Sequence, residues 1–486
     1  MIKKHQQRKI LEILATIEEA QSAELYADCQ EGAIKVGEYI ESILGEGTKI
    51  VGLLEEYHEL LYKVSIGESN AKALKRQFIK INNTALDDLK ADKIEVAFFP
   101  YKASMWDSLE SIWLAAKEDP ACETYVVPIP GYELNADGSH RKMYYDGDQY
   151  PENIPVTDWK KYNVKNRCPD VIFTHYPYDD NANNYTIHPD FYSKNLRMYC
   201  ERLIHVPYWV INEKIPDYYF ILPGVLFAHH TIVQSKAHQG LIVGYYKEFD
   251  KKFGWNGQFG KAEEKFVALG SPKFDKVINS KRDDFTLPEK WENLINKPDG
   301  SRKKVVFYNT HMFAWIGEGQ AYFDKMKYIF DTFKNRDDVI LWWRPHPNTE
   351  LNFRTKKPQL LNAYFDIIKK YIDDGFGIYD DTHDLHRAIF FCDAYFGDYS
   401  SITVMFESIK KKENVLLYSD YVYLPNSHTP NHKTIEGAID NLVPFLSQIT
   451  LNESPENKIC ESGLAENLDG SCGWKVWEYV KSEVLK

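Results

Sequence analysis

From residue 91 onward the chain is a succession of short apolar runs separated by stretches of helical spacing. The runs are 94–99 (IEVAFF), 125–129, 171–174, 203–206, 231–234, 266–269, 305–308, 339–343 and 394–396. Several are nearly continuous in apolar character rather than alternating, the pattern of parallel strands buried on both faces. Their alternation with helical segments predicts βαβ units and doubly wound sheets. Nine strands are too many for one compact sheet, since sheets of about four to six strands are the commonest, so two α/β domains are expected. The Gly-rich stretch 251–260 (KKFGWNGQFG) reads as the linker between them. At about 150 residues per domain, a chain of 486 residues accommodates this.

Residues 1–90 have a different texture. Ile10, Leu11, Leu14 and Ile17 recur at helical spacing, as do Ile34, Tyr39, Ile40, Ile43 and Leu44, and then Leu53, Leu54, Tyr57, Leu60 and Leu61. With no proline before Pro100, three or four amphipathic helices are predicted. They form either a bundle packed on the main body or a dimerisation or docking module. Both bury one stripe, so the pattern leaves the choice open. The expected division is a helical region 1–90, an N-terminal Rossmann-like domain 91–260 and a C-terminal Rossmann-like domain 261–486.

Acidic residues outnumber basic ones, 71 to 59, which argues against a nucleic-acid partner because phosphate neutralisation needs clustered Lys and Arg. Seven widely spaced cysteines with no CxxC pair fit neither a disulfide framework nor a zinc ribbon and suggest reduced thiols in the cytoplasm. The first 21 residues lack the apolar core of a signal peptide, and no stretch reaches the 18 or so apolar residues of a membrane span.

In open parallel sheets ligands bind beyond the carboxyl ends of strands, so the residues after each run are the candidates. Gly270-Ser271-Pro272-Lys273 offers a turn whose amides can approach a phosphate, with a cation beside it; a plain strand-to-helix turn would look the same. Asn309 and Thr310 end the next strand and can contact a nucleotide or cap a helix. Arg344-Pro345-His346-Pro347 is more specific, since two prolines fix the backbone around one histidine. Arg344 suits a phosphate and His346 a phosphoryl oxygen or a proton. Asp398 and Ser400-Ser401 precede a helix, as a cap or an anion site. Glu407 lies about two turns into it, and Asp381 and Asp384 start another helix. In the first half, His175, Asp179, Asp180 and His188 can act as a base toward a hydroxyl or serve structure alone. Adjacent His229 and His230 point to opposite faces of a strand and do not suggest a shared metal. No HExxH, Walker A or GxGxxG motif occurs.

GSPKFD (270–275), RPHP (344–347), and DDTHDL (380–385) followed by FGDYSS (396–401) resemble, in order and spacing, the CDP-glycerol:poly(glycerophosphate) glycerophosphotransferase family of teichoic-acid biosynthesis. The resemblance spans about residues 92–425. PYKASMWDSLESIW (100–113) and HYPYDD (175–180) resemble a branch of it with an N-terminal helical extension. The resemblance implies a GT-B-like fold of two Rossmann-like domains facing a cleft. It implies transfer of glycerol phosphate from CDP-glycerol to a hydroxyl acceptor, a polyol phosphate or glycan that is lipid-linked in that family, with release of CMP. It places His346 on the donor phosphate and the Ser400-Ser401 helix start on the pyrophosphate. Gly270 to Lys273 would line the same pocket, with Asp381, Asp384 and Glu407 near cytidine or ribose. CDP-glycerol is a substrate, so no cofactor is expected; no cluster of metal-binding carboxylates stands out, and Mg²⁺ is not excluded.

One departure bears on the chemistry. Polymerases of the family carry Trp-His-Gly in the first domain, where this chain reads His205-Val206-Pro207-Tyr208-Trp209. The base is therefore open among Asp107, His175 and Asp179. Two further functions stay open: a GT-B glycosyltransferase with a nucleotide-sugar donor, and a non-catalytic protein acting through residues 1–90, which would also serve a homo-oligomer. A lipid-linked acceptor would bring the protein to the inner face of the membrane, for which the short runs Lys281-Arg282 and Lys410-Lys411-Lys412 offer limited electrostatic support.

Overall fold

The structure is a computed structural model. It describes the chain except residues 1, 23–24, 91–92, 136, 183, 211–216, 411–416, 420–434, 451–464 and 486. Four helices come first: α1 (Lys4–Glu19), α2 (Tyr26–Leu44), α3 (Lys49–Ser65) and α4 (Ala71–Asp88). Their apolar stripes, including Ile10, Leu14, Ile40, Leu54, Tyr57 and Phe78, close into one core. Asn70 starts α4 by accepting the Ala73 amide at 3.1 Å. The bundle packs on the body, the first of the two alternatives for this region. Lys3 Nζ lies 2.7 Å from Glu95 Oε2, Arg8 Nη1 lies 3.0 Å from Glu201 Oε2, and Lys4 donates to the Val484 carbonyl.

In chain order the strands are β1 (Ile94–Phe99), β2 (Cys122–Val126), β3 (Gly131–Leu134), β4 (His140–Tyr144), β5 (Val171–Thr174), β6 (Tyr185–Ile187) and β7 (Arg202–His205). There follow β8 (His230–Val233), β9 (Phe266–Ala268), β10 (Lys304–Thr310), β11 (Val339–Pro345), β12 (Ile378–Tyr379), β13 (Ala394–Gly397) and β14 (Leu417–Ser419). Two parallel sheets result, ordered β2-β1-β5-β7-β8-β9 and β12-β11-β10-β13-β14. All nine apolar runs became strands of these two sheets, with ends shifted by up to three residues. Strands β3, β4 and β6 form a small antiparallel sheet that the sequence reading did not anticipate.

Both parallel sheets are covered on both faces. In β1, Ile94, Val96 and Phe98 join one core while Ala97 and Phe99 join another. In β11, Leu341 and Trp343 face one side and Ile340 and Trp342 the other. The expected pair of doubly wound, Rossmann-like domains facing a cleft is the observed fold.

The division at 260/261 does not follow the sheets. Residues 251–260 are the end of the helix Lys236–Phe253 and its cap, with Gly254 at φ 65° and Trp255 packed beneath. Strand β9 follows this turn and still pairs with β8 of the first sheet. The helix Cys472–Leu485 also returns to the first sheet. Its Cys472, Val476, Trp477, Val480 and Val484 fill the core beneath β1, β5 and β7. Asp275 caps that helix by accepting the amides of Cys472 at 3.1 Å and Gly473 at 2.6 Å. At Gly473 a Cβ would lie 2.4 Å from the Ser111 backbone carbon, so glycine permits this close approach to the helix Glu110–Glu118.

Candidate functional site

Each parallel sheet has one place where its strand order reverses, the usual position of a ligand crevice. In the first it lies between β1 and β5, in the second between β10 and β13. The carboxyl ends of the two sheets meet. Lys102, just after β1, donates from Nζ to Asn348 Oδ1, just after β11, at 2.6 Å. The Val210 amide, after β7, donates to Ser401 Oγ, after β13, at 3.1 Å. Asp107 Oδ1 pairs with Lys273 Nζ at 2.5 Å, and its Oδ2 lies 3.5 Å from His386 Nε2.

On the second-domain rim, His346 is fixed through its ring. Its Nδ1 accepts the Asn348 amide at 3.1 Å, so the proton of the neutral ring sits on Nε2. Burial, together with the positive fields of His311, Lys102 and Arg344, pushes its pKa well below the usual histidine range. His346 is therefore a neutral donor through Nε2 rather than an acid at neutral pH. His311 lies beside it with ring centroids 5.1 Å apart, and burial lowers its pKa to about 4.

The neighbouring candidates hold the rim together. Arg344 Nη1 makes an ionic contact of 2.8 Å with Asp380 Oδ1, and Nη2 donates to the Thr382 carbonyl at 2.6 Å. Asp380 also accepts from Trp342 Nε1 at 3.0 Å. A guanidinium already neutralised in this way is a strut behind His346, not the free phosphate fork that RPHP suggested. Asn309 ties the rim laterally, donating to the Arg344 carbonyl at 3.0 Å and accepting from Ser400 Oγ at 3.1 Å. Thr310 Oγ1 accepts from Trp343 Nε1 at 3.1 Å. Asp398 is fully buried, accepting the His311 amide at 2.6 Å and Tyr322 OH, with Lys325 Nζ 3.6 Å away. Ser400 caps the helix Ser401–Lys410 by accepting the Ile402 amide at 3.2 Å. Asp384 caps the helix His386–Phe391 in the same way, at 2.9 Å. Asp381 is exposed, and the side chain of Glu407 lies outside the described residues.

The first-domain rim corrects more. His175 is fully buried, its Nε2 accepting the Tyr101 amide at 2.9 Å and its Nδ1 bonded to Ser108 Oγ at 2.9 Å. Both nitrogens are occupied and burial lowers its pKa to about 3, so it locks the turn after β1 instead of presenting a base. Asp179 accepts the Ser193 amide at 2.7 Å and the Ser193 hydroxyl at 3.0 Å, as a cap. His188 accepts the Asp190 amide at 3.3 Å. For Asp107, burial would raise the pKa, but Lys273 and His386 outweigh it and hold the carboxyl at about 2. His205 is buried and neutral, lowered by burial to about 3. Gly270, Ser271, Pro272 and Lys273 follow β9, so they belong to the first sheet's rim and not to the second's. Ser271 and Pro272 line a narrow recess with Pro207, Trp209 and Gln234. Gly270 has φ 104°, and a Cβ there would meet the Glu466 carbonyl at 2.3 Å.

Lys102, which sequence reasoning quoted only as part of a motif, occupies the junction of the two domains. Its ammonium sits 5.1–5.9 Å from the centres of the Tyr101, Tyr144 and Tyr185 rings. Two of those tyrosines come from the unanticipated antiparallel sheet, which roofs the lysine. Among the described residues no group of three His, Cys, Asp or Glu side chains is placed to hold a metal ion.

No family model and no curated protein matches this chain. Solved structures do. The MnaA–UDP co-structure of S. aureus is 12% identical with a TM-score of 0.47, over 81% of this chain and 97% of that one. The UDP-GlcNAc 2-epimerase of Neisseria meningitidis bound to UDP-GlcNAc is 8% identical with a TM-score of 0.47, over 80% and 100%. A glycosyltransferase from Rickettsia africae is 12% identical with a TM-score of 0.40, over 81% and 99%. Likeness at this level bears on neither substrate nor chemistry. Among the described residues no helix is long and apolar enough to cross a membrane.

Proposed function

We propose that this protein transfers glycerol phosphate from CDP-glycerol to a hydroxyl acceptor of the polyol-phosphate or glycan class, releasing CMP. The observation that carries the reading is the His346 ring at the junction of two facing strand-end rims, with its tautomer fixed so that Nε2–H remains to donate. The family resemblance of the segments that build this rim supplies the donor. In the proposed step the acceptor oxygen bonds to the phosphorus of glycerol phosphate, the bond from that phosphorus to the CMP oxygen breaks, and the hydroxyl proton passes to water, leaving CMP as the released phosphate.

Phosphoryl transfer of this kind depends mainly on positioning and on neutralising charge on the transferred group. A neutral donor behind a rigid ion pair suits that, because it need not reorganise as charge develops. The helix starting at Ser401 presents its amino end to the same rim, where an anion is stabilised. His175, Asp179 and Asp107 are committed to caps, turns and ion pairs, so the reading assigns none of them as base.

The test is CMP release from CDP-glycerol by purified protein, beside CDP-ribitol, UDP-glucose and buffer, with glycerol or a short glycerol-phosphate oligomer as acceptor. CMP release from CDP-glycerol alone supports the donor. UDP release from UDP-glucose without CMP release replaces it with the nucleotide-sugar reading, which the missing Trp-His-Gly pattern keeps open.

A further inference from the structure

Among the described residues the buried lysines and arginines are satisfied in one of two ways, by a carboxylate or by carbonyls on all three donors, with one exception. Lys273 has Asp107 at 2.5 Å, Arg344 has Asp380 at 2.8 Å, and Lys325 has Asp398 at 3.6 Å. Lys265 donates to the Leu226, Ala228 and Phe259 carbonyls. Lys102 is 9% exposed, and among the described residues no carboxylate lies within ion-pair distance of it. An ammonium carries three donors, and among the described residues the one hydrogen bond it makes is to a neutral amide oxygen. The surrounding tyrosine faces attract it but carry no net charge. The acid whose field acts on it is Asp146, which lies outside ion-pair distance and whose Oδ2 accepts the Ala103 amide and Tyr144 OH, both at 2.8 Å. A buried charge left without a counter-charge is costly, and proteins normally supply one.

Asn348 explains how the position is held. A lysine can only donate, so Oδ1 of Asn348 must face it. The backbone amide of the same residue donates to His346 Nδ1. One residue of the second domain thereby aims the ammonium of the first domain and sets the tautomer of His346.

We propose that Lys102 and the Nε2–H of His346 form a phosphoryl-anion site that is complete only when both domains contribute, with the missing counter-charge supplied by the ligand. This deepens the proposed function by placing a first-domain cation on the phosphoryl group of the donor, and it depends on that reading only for the identity of the donor.

Binding of inorganic pyrophosphate, measured by calorimetry, tests the site without assuming a nucleotide. Lys102→Met is expected to weaken it at least about 10-fold, the scale of one hydrogen bond to a charged group, while Lys102→Arg retains most of it. Asn348→Asp places a carboxylate beside the ammonium and is expected to displace the anion, weakening binding while raising the melting temperature of the unliganded protein. Burial lowers the Lys102 pKa to about 8, against the opposing field of Asp146. The tyrosines around it stay protonated at this pH, and His346 and His311 are already neutral. Wild-type binding therefore falls as pH rises through about 8, whereas the arginine variant keeps its affinity.

Undiminished pyrophosphate binding by folded Lys102→Met, or no binding by wild type, overturns the site. Lys102-dependent binding without CMP release from CDP-glycerol leaves the site standing and removes the donor. CMP release unaffected by Lys102→Met does the reverse.

Discussion

Lys102 and Arg344 are both buried cations, each near the carboxyl end of a parallel strand, one on either side of the cleft. Arg344 lies within RPHP, the segment most conspicuous in the sequence, and is held by Asp380 and the Thr382 carbonyl. Lys102 lies in an ordinary-looking turn and, among the described residues, touches no carboxylate. The difference separates two meanings of a charged residue at a strand end. A paired guanidinium fixes backbone geometry, and its charge is spent within the fold. An unpaired ammonium costs stability until a ligand arrives, which is the condition for discriminating between empty and occupied states.

The largest expected effect breaks the paired side. Arg344→Met leaves the Asp380 carboxylate buried without its partner and should destabilise the protein by about 3–5 kcal/mol in denaturant unfolding. Lys102→Met, by contrast, should leave the unliganded protein as stable as wild type or more so. Equal losses in the two variants would erase the distinction. Next, His346→Ala removes the companion of Lys102 and should reduce turnover about 100-fold, the scale of one preorganised donor. Steady-state CMP release checks this, and near-wild-type turnover would remove His346 from the site.

A smaller effect concerns Asp107, which neutralises Lys273 as Asp380 neutralises Arg344. Its carboxyl titrates at about 2 in the folded protein and near 4 when unfolded. A depressed carboxyl pKa gives stability that is present above the unfolded value and lost as pH falls through the folded one. Wild type should therefore lose about 2 kcal/mol between about pH 4 and pH 2 through this group. In Asp107→Asn that segment of the stability–pH curve should flatten. An unchanged acid limb would show that Lys273 and Asp107 are not coupled as the 2.5 Å contact implies.

The strands were legible because burial on both faces writes itself as nearly uninterrupted apolar runs, as in VILWW at the start of β11. The antiparallel sheet was not, because β4 reads HRKMY and its exposed positions carry no alternation. The four bundle helices were legible from their stripes. The rim of the second sheet was legible as a place, since Asn309, His346 and Ser400 all sit there. Their roles were not, because a role depends on the partner: Arg344 is neutralised by a residue two α-helices later, and Lys273 by one from the turn after β1, far back in the chain. Lys102 left no local signal at all. Its distinction is that no described residue gives it a carboxylate and only one acceptor reaches it, a property that exists only in three dimensions.

The return of the helix Cys472–Leu485 to the first sheet also sets an order of assembly. β1, β2, β5 and β7 emerge from the ribosome early, yet the apolar face they share with Val476, Trp477 and Val480 remains open until the whole second sheet has been synthesised. The domain begun first is finished last. During translation that uncovered apolar face is a surface open to chaperones and to misassociation.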